Sequence, residues 1–280
     1  MRTIESSRIT DAVASLLVQA CMDLPGDVEH ALRAGRALET DPQARATLDI
    51  LLENAALARE EQVPICQDTG VAFVIAELGA DCHVAGSLLT DAVQDGIRRG
   101  TECGYLRRSI VRDPVRRENT GDNAPGVVVV VPVAGDKLRL TVAPKGAGCE
   151  NMSKLAMLTP AAGIEGVKEF VIETICSAGA NPCPPVVVGI GLGGDFASAP
   201  LLAKKAMLRT IGTRNPDPLY AALEHELLAT INGLGLGPQG MGGKTTALEV
   251  FIEFAPCHIA SLPVAICLNC HAARHASADL

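Results

Sequence analysis

Aromatic residues are scarce in this sequence: Trp is absent, and aromatics make up only 2% of the 280 residues. Platforms that stack the bases of single-stranded nucleic acid are built from aromatic faces, so the chain is not organised for that task. Long Lys/Arg runs are missing too, and the formal net charge is −8. That balance excludes a general polyanion binder, whereas a small anionic substrate needs only a few local cations. No apolar run is long enough to span a bilayer; the longest, Gly126 to Val133, is short, rich in Val and expected to be a buried strand. The opening stretch MRTIESSRITDAVASLLVQACMDL carries Glu5 and Asp11 where an export signal needs basic residues and then an unbroken apolar run. A cytoplasmic location is therefore expected.

Against these absences stand ten cysteines and 27 glycines, in a chain that is 48% hydrophobic and 20% charged and so globular in composition. In a reducing compartment ten cysteines do not imply a disulfide framework, and metal binding or reactive thiols become the expectation. The glycines gather in KGAGC, GIGLGG and GLGLGPQGMGG. Such loops let the backbone approach a ligand closely and offer N–H donors to anions.

Residues 3–60 are expected to be helical in two or three pieces. Thr10 and Asp11 can open the first, with Val13, Leu16, Leu17 and Ala20 on one face, and Pro25–Gly26 breaks it. A second stretch, Pro42 to Arg59, aligns Leu48, Leu51, Leu52 and Ala55. After PICQDTG the pattern alternates. VAFVIAEL reads as a strand and Leu88 to Arg99 as a helix, while VVVVVPV and KLRLTVAP look like a β-hairpin turning at Ala134–Gly135–Asp136. Gly163 to Ala178 reads as a helix ended by Gly179. PVVVGIGLGG is a strand entering a glycine turn; Pro200 to Ile211 and Pro218 to Ile231 are helices; TALEVFIEFA and LPVAICL are late strands. The class expected is mixed α/β (α+β), one domain over residues 1–280: a helical N-terminal region, then mixed sheets with flanking helices. The hairpin argues against a doubly wound parallel sheet.

Several motifs have plainer readings. CLNCH, at Cys267 to His271, fits covalent haem attachment as a string, but that chemistry needs export. GPQGMGGKTT has Pro238 where a phosphate-binding P-loop needs glycine, so a glycine-rich turn is preferred. Gly189, Gly191 and Gly194 match a dinucleotide fingerprint, yet the segment beginning Asp195 delays the helix that those glycines should open. The default reading of a cysteine is a small buried hydrophobe, which Cys21 and Cys176 fit, while Cys82, Cys103 and Cys257 lack a telling context. Cys66, Cys183 and Cys270 differ, because each lies in a polar or Gly/Pro loop: ICQDTG, NPCPP and CLNCHAAR. Three loop thiolates suit a [4Fe–4S] cluster with one iron lacking a protein ligand; three-cysteine zinc is the inorganic alternative.

PICQDTG, LRRS with RENTGDN, KGAGCENMS, GIEGVKEFV, AGANPCPP, VGIGLGG, GPQGMGG and CLNCHAAR occur in that order over nearly the whole chain. The run resembles the alpha subunits of two-subunit class I fumarate hydratases and L(+)-tartrate dehydratases. The resemblance implies Cys66, Cys183 and Cys270 as cluster ligands, with Cys267 competing with Cys270. Cys149 stands where relatives often have Ser and is not counted. It further implies Gln67 and Asp68 against the substrate, Asp68 positioning a hydroxyl or relaying a proton, with an Asx turn as the plainer reading of that residue. Arg107, with Arg108 as the register alternative, would clamp a carboxylate. Gly148 would give close backbone approach, Lys145 is an anion partner or a surface residue, and His258 matches a family histidine near the active site. The activity implied is reversible hydration of fumarate to L-malate, or dehydration of tartrate. The general base and further cationic contacts are expected on a separate beta subunit, and an alpha–alpha dimer is also expected. A non-enzymatic iron–sulfur or zinc regulatory module is the rival of another class.

Overall fold

The computed structural model describes residues 2–280. In chain order these form β1 (Arg2–Glu5), α1 (Ser6–Met22), α2 (Gly26–Leu38), α3 (Pro42–Glu61), β2 (Val71–Gly79), β3 (Cys82–Ala85) and α4 (Leu89–Cys103). Then follow β4 (Val127–Val133), β5 (Leu138–Lys145), α5 (Ala147–Glu150), β6 (Lys154–Leu158), α6 (Gly163–Ala178) and β7 (Val186–Gly194). The last elements are α7 (Ser198–Ala206), α8 (Pro218–Gly233), β8 (Ala247–Cys257), β9 (Leu262–Asn269) and β10 (Ala276–Asp279). Helices and mixed sheets together give the α+β class expected. Among the described residues no helix is long and apolar enough to cross a membrane.

The chain forms two compact units, each assembled from separated segments. The first takes the residues up to Pro25, Asn54–Ala147 and Arg274–Leu280. Its main sheet has the order β10-β5-β2-β4, with β2 parallel to β4 and antiparallel to β5. The core joins Val13, Leu16, Leu17 and Ala20 of α1, the face expected from periodicity, to Val74 and Ala76 of β2 and Leu138, Leu140 and Val142 of β5. Helix α4 packs tightly on α1 because Gly96 and Gly100 carry no side chain: a Cβ on Gly96 would lie 2.8 Å from the Thr10 carbonyl.

The expected hairpin does not form. Strand β2 lies between β4 and β5, and its exit fills the gap: Gly79 N–H donates to the Lys137 carbonyl, and Ala80 N–H to that of Val133. A Cβ on Gly79 would sit 2.4 Å from the Gly135 oxygen, so the turn closes over a glycine. Nor is the VVVVVPV run buried on both faces. It is the edge strand β4, with Val127 and Val130 exposed, and Pro132 is tolerated because an edge leaves one row of backbone groups unpaired. Antiparallel pairing is nonetheless present, between β2 and β5.

The second unit takes Gly26–Glu53 and Gly148–Ala273, with the sheet order β6-β9-β7-β8. Strand β7 is parallel to β8 and antiparallel to β9. Its alternation sorts the helices. Val186, Val188, Ile190 and Leu192 join a core with Val167, Val171 and Ile175 of α6 and Leu223, Leu227 and Ile231 of α8. On the other face Gly189 and Gly191 meet α7, where a Cβ would stand 2.2 Å from the Ala203 carbonyl and 2.1 Å from that of Ala199. The fingerprint glycines thus serve close helix–strand packing. Helix α7 starts before Pro200 because Asp195 accepts the N–H groups of Ala197 and Ser198. It ends at Ala206, and the chain then carries Arg209 to Glu224. That carboxylate is fully buried and accepts from Arg209 Nη1 at 2.7 Å, Ile252 N at 2.8 Å and Asn215 N at 2.9 Å.

Candidate active site

In the first unit the CQDTG segment makes a tight turn between α3 and β2. Gly70 has φ +74°, and a Cβ there would lie 2.5 Å from the Lys145 carbonyl, so glycine is required. Asp68 Oδ1 accepts Gly70 N–H at 3.0 Å, the Asx turn that turn preference anticipated. Its other oxygen, Oδ2, accepts Ala147 N–H at 2.8 Å, tying the turn to KGAGC. Asp68 N–H points at Cys66 Sγ at 3.4 Å. Thr69 Oγ1 donates to the Arg107 carbonyl at 2.9 Å, and Asn123 bridges Gly70 O and Ser109 N. The LRRS and NTGDN segments are therefore bonded to the turn through their backbones, while the side chains of Gln67, Arg107 and Arg108 are left exposed. Lys145 is buried. Arg274, also buried, donates through Nη2 to the Asp68 main-chain carbonyl.

In the second unit Cys183 lies just before β7 and Cys270 just after β9, at the same end of the sheet because Val187 pairs with Asn269. The two loops are linked directly: His271 N–H donates to the Cys183 carbonyl at 3.2 Å. Cys183 is exposed and Cys270 half-buried. Gln239, held at φ +53° inside GPQGMGG, gives both its main-chain and side-chain N–H to the Pro184 carbonyl, at 2.7 and 2.8 Å. That glycine-rich turn braces the CPP loop. Cys267 is buried within β9, its sulfur 3.6 Å from Met207 Sδ. Cys149 is buried with its thiol toward the Pro182 carbonyl at 3.4 Å. Gly148 is exposed, and a Cβ on it would meet the Asn181 oxygen at 3.3 Å.

His258 is not brought to Cys183 and Cys270. It is exposed in the turn between β8 and β9, with Nδ1 accepting Ala260 N–H at 3.1 Å. The twelve-residue spacing to Cys270 contains the whole of β9, so an extended strand holds the two apart by on the order of 25 Å. Sequence reasoning missed Gln239 and Arg274. The string GPQGMGG was visible, but nothing in it names Gln239 as the brace of a distant proline loop.

Among the described residues no group of three His, Cys, Asp or Glu side chains gathers as a single-ion site. The donors themselves suit iron and sulfide: soft thiols in loops, one of them receiving an N–H, the kind of bond that tunes cluster sulfurs.

The sequence matches the Fumarate hydratase (Fumerase) family over residues 10–279, and the chain belongs to that family as an alpha subunit of the class I kind, a hydro-lyase enzyme subunit. Among similar proteins, one from Methanocaldococcus jannaschii, provisionally named L(+)-tartrate dehydratase subunit alpha, is 46% identical over 96% of both chains. The L(+)-tartrate dehydratase alpha subunits of Escherichia coli K12 and Shigella boydii are each 32% identical over 96% of this chain and 89% of theirs.

Proposed function

We propose that this chain is the cluster-carrying subunit of a two-subunit hydro-lyase, with Cys66, Cys183 and Cys270 as thiolate ligands of a [4Fe–4S] cluster and one iron free of protein ligands. The observation that carries the reading is the CQDTG turn, where the Cys66 thiol, the Asp68 amide and the backbone of the Arg107 loop are bonded into one constellation. When bound, the cluster supplies a Lewis-acidic iron at the substrate hydroxyl.

The chain's own residues bind and orient. Arg107 is exposed on a backbone fixed by Thr69, so its guanidinium is available to pair a carboxylate in two parallel bonds. Gln67 is exposed on the CQDTG turn to which that backbone is bonded. Asp68 acts chiefly as the turn's clasp, since both carboxylate oxygens already accept amides. Gly148 leaves room for a substrate to approach the KGAGC backbone. Removing a proton from carbon needs a positioned base, and the reading assigns it to a separate beta subunit, in line with the name "subunit alpha" borne by the relatives. The compartment is the cytoplasm, where these thiols stay reduced.

The reaction is reversible hydration of fumarate to L-malate. The names of the relatives favour a second reading, dehydration of L(+)-tartrate. Anaerobic co-purification with the companion chain, iron and sulfide analysis, and turnover with L-malate and L(+)-tartrate test both. Cluster loading is expected, with turnover on one of the two diacids and none from the alpha chain alone. Stoichiometric zinc without acid-labile sulfide would refute the cluster reading.

A further inference from the structure

Arg274 is 3% exposed, and its place in CHAAR is not used by the function above. Nη2 donates to the Asp68 carbonyl, while Nη1 is buried and has no hydrogen-bond partner among the described residues. A permanently charged guanidinium cannot shed its proton to escape burial, so an uncompensated one is strongly destabilising. No carboxylate among the described residues forms an ion pair with it. The Asp68 carboxylate is turned to the amides of Gly70 and Ala147. The nearby Cys21 thiol is pushed up to about 11, first by burial, and stays neutral at physiological pH. Arg274 opposes that rise and Cys66 adds to it, so all three groups share one electrostatic neighbourhood.

We propose that Arg274 is a positioning residue for the cluster. Its bond to Asp68 fixes the CQDTG turn, and its buried charge is the counterion of the negative thiolate cluster at Cys66. The inference rests on the cluster reading above. Reduction adds an electron to an assembly already made negative by its thiolates. A buried cation favours that reduced form and raises the midpoint potential.

The test is a spectroelectrochemical titration of the anaerobically loaded holoenzyme, with cluster loss to a chelator as a second measurement. Arg274→Gln keeps a donor for Asp68 and removes the charge. Its reduced-to-oxidised ratio at fixed potential should fall about tenfold, equivalent to about 59 mV for a one-electron couple, and its cluster should leave faster. Arg274→Lys keeps the charge and should stay near the wild-type potential. A purely structural role would not divide the two variants by charge. Equal potentials in wild type and the glutamine variant overturn the inference. If the glutamine variant does not load, the lysine variant decides: loading at a near-wild-type potential supports the inference, while failure to fold or load, or a comparable downward shift, overturns it. A wild-type protein that takes up no cluster refutes the functional reading itself and this inference with it, and that arm is measured first.

Discussion

Asp68→Ala removes an acceptor from two main-chain amides, and the two losses are unequal. Gly70 is buried, so its N–H has no water to turn to, whereas Ala147 is exposed and its N–H can be resolvated. The Gly70 amide therefore carries most of the penalty, about 1–3 kcal/mol for an unsatisfied buried donor. Asp68→Asn keeps one acceptor oxygen. If that oxygen serves Gly70, the side-chain NH2 faces Ala147 N–H, donor against donor, and only the solvent-compensated bond is lost, at under about 1 kcal/mol. With a urea slope of about 3 kcal/mol per molar for a chain of this size, alanine should lower the unfolding midpoint by about 0.3–1 M and asparagine by less than about 0.3 M. The assay is equilibrium unfolding of the metal-free chain in urea, followed by far-ultraviolet circular dichroism. Arg274 does not confound it, because its bond goes to the main chain of Asp68. An alanine midpoint within about 0.1 M of wild type, or asparagine as damaging as alanine, would refute the dependence of the Gly70 amide on this carboxylate.

Gly191→Ala should destabilise by about 1–3 kcal/mol or more, because the new methyl is driven into the Ala199 carbonyl of α7; thermal melting checks it, with Gly233→Ala, which meets nothing within 4 Å, as the tolerated control. Glu224→Ala should cost about 2–4 kcal/mol by leaving two buried amides unsatisfied and Arg209 with only the more distant Glu253 carboxylate, and Glu224→Gln distinctly less; denaturant titration separates them. Cys270→Ser should lose the iron–sulfur absorbance that Cys267→Ser keeps, since the Cys267 sulfur is buried against Met207 within the sheet; iron and sulfide analysis of anaerobic preparations reads the outcome, and the reverse result would move the third ligand to Cys267.

Local pattern was legible where one helix face or one strand decides the structure. The stripe of Val13, Leu16, Leu17 and Ala20 is buried as periodicity requires, and Gly163–Ala178 forms a helix with the bounds expected. What failed was long-range pairing. Two apolar segments joined by a glycine turn satisfy every local rule for a hairpin, yet β2, from more than forty residues earlier in sequence, takes the place between them. The same limit affects the site. Cysteine-bearing loops stand out by composition, and the Asx turn at Asp68 follows from residue type. Spacing along the chain does not measure distance for His258, because twelve residues are short in sequence and long when most of them form a strand. Arg274 carried no signal of its own: its burial and its bond to Asp68 join residues more than two hundred positions apart.

The pairing of β10 with β5 also sets a timetable. Lys145 is followed by about 130 residues before the partner strand is made, a wait of roughly 7–26 seconds at ordinary rates of translation. During that interval the nascent first unit presents β5 with an open edge, the kind of surface that invites wrong partners. Arg274 lies two residues before β10 and is made in the same interval, so until then the Cys66 turn lacks its buried cation. A nascent chain that stops short of residue 274 therefore carries the CQDTG turn without the Arg274 bond to Asp68.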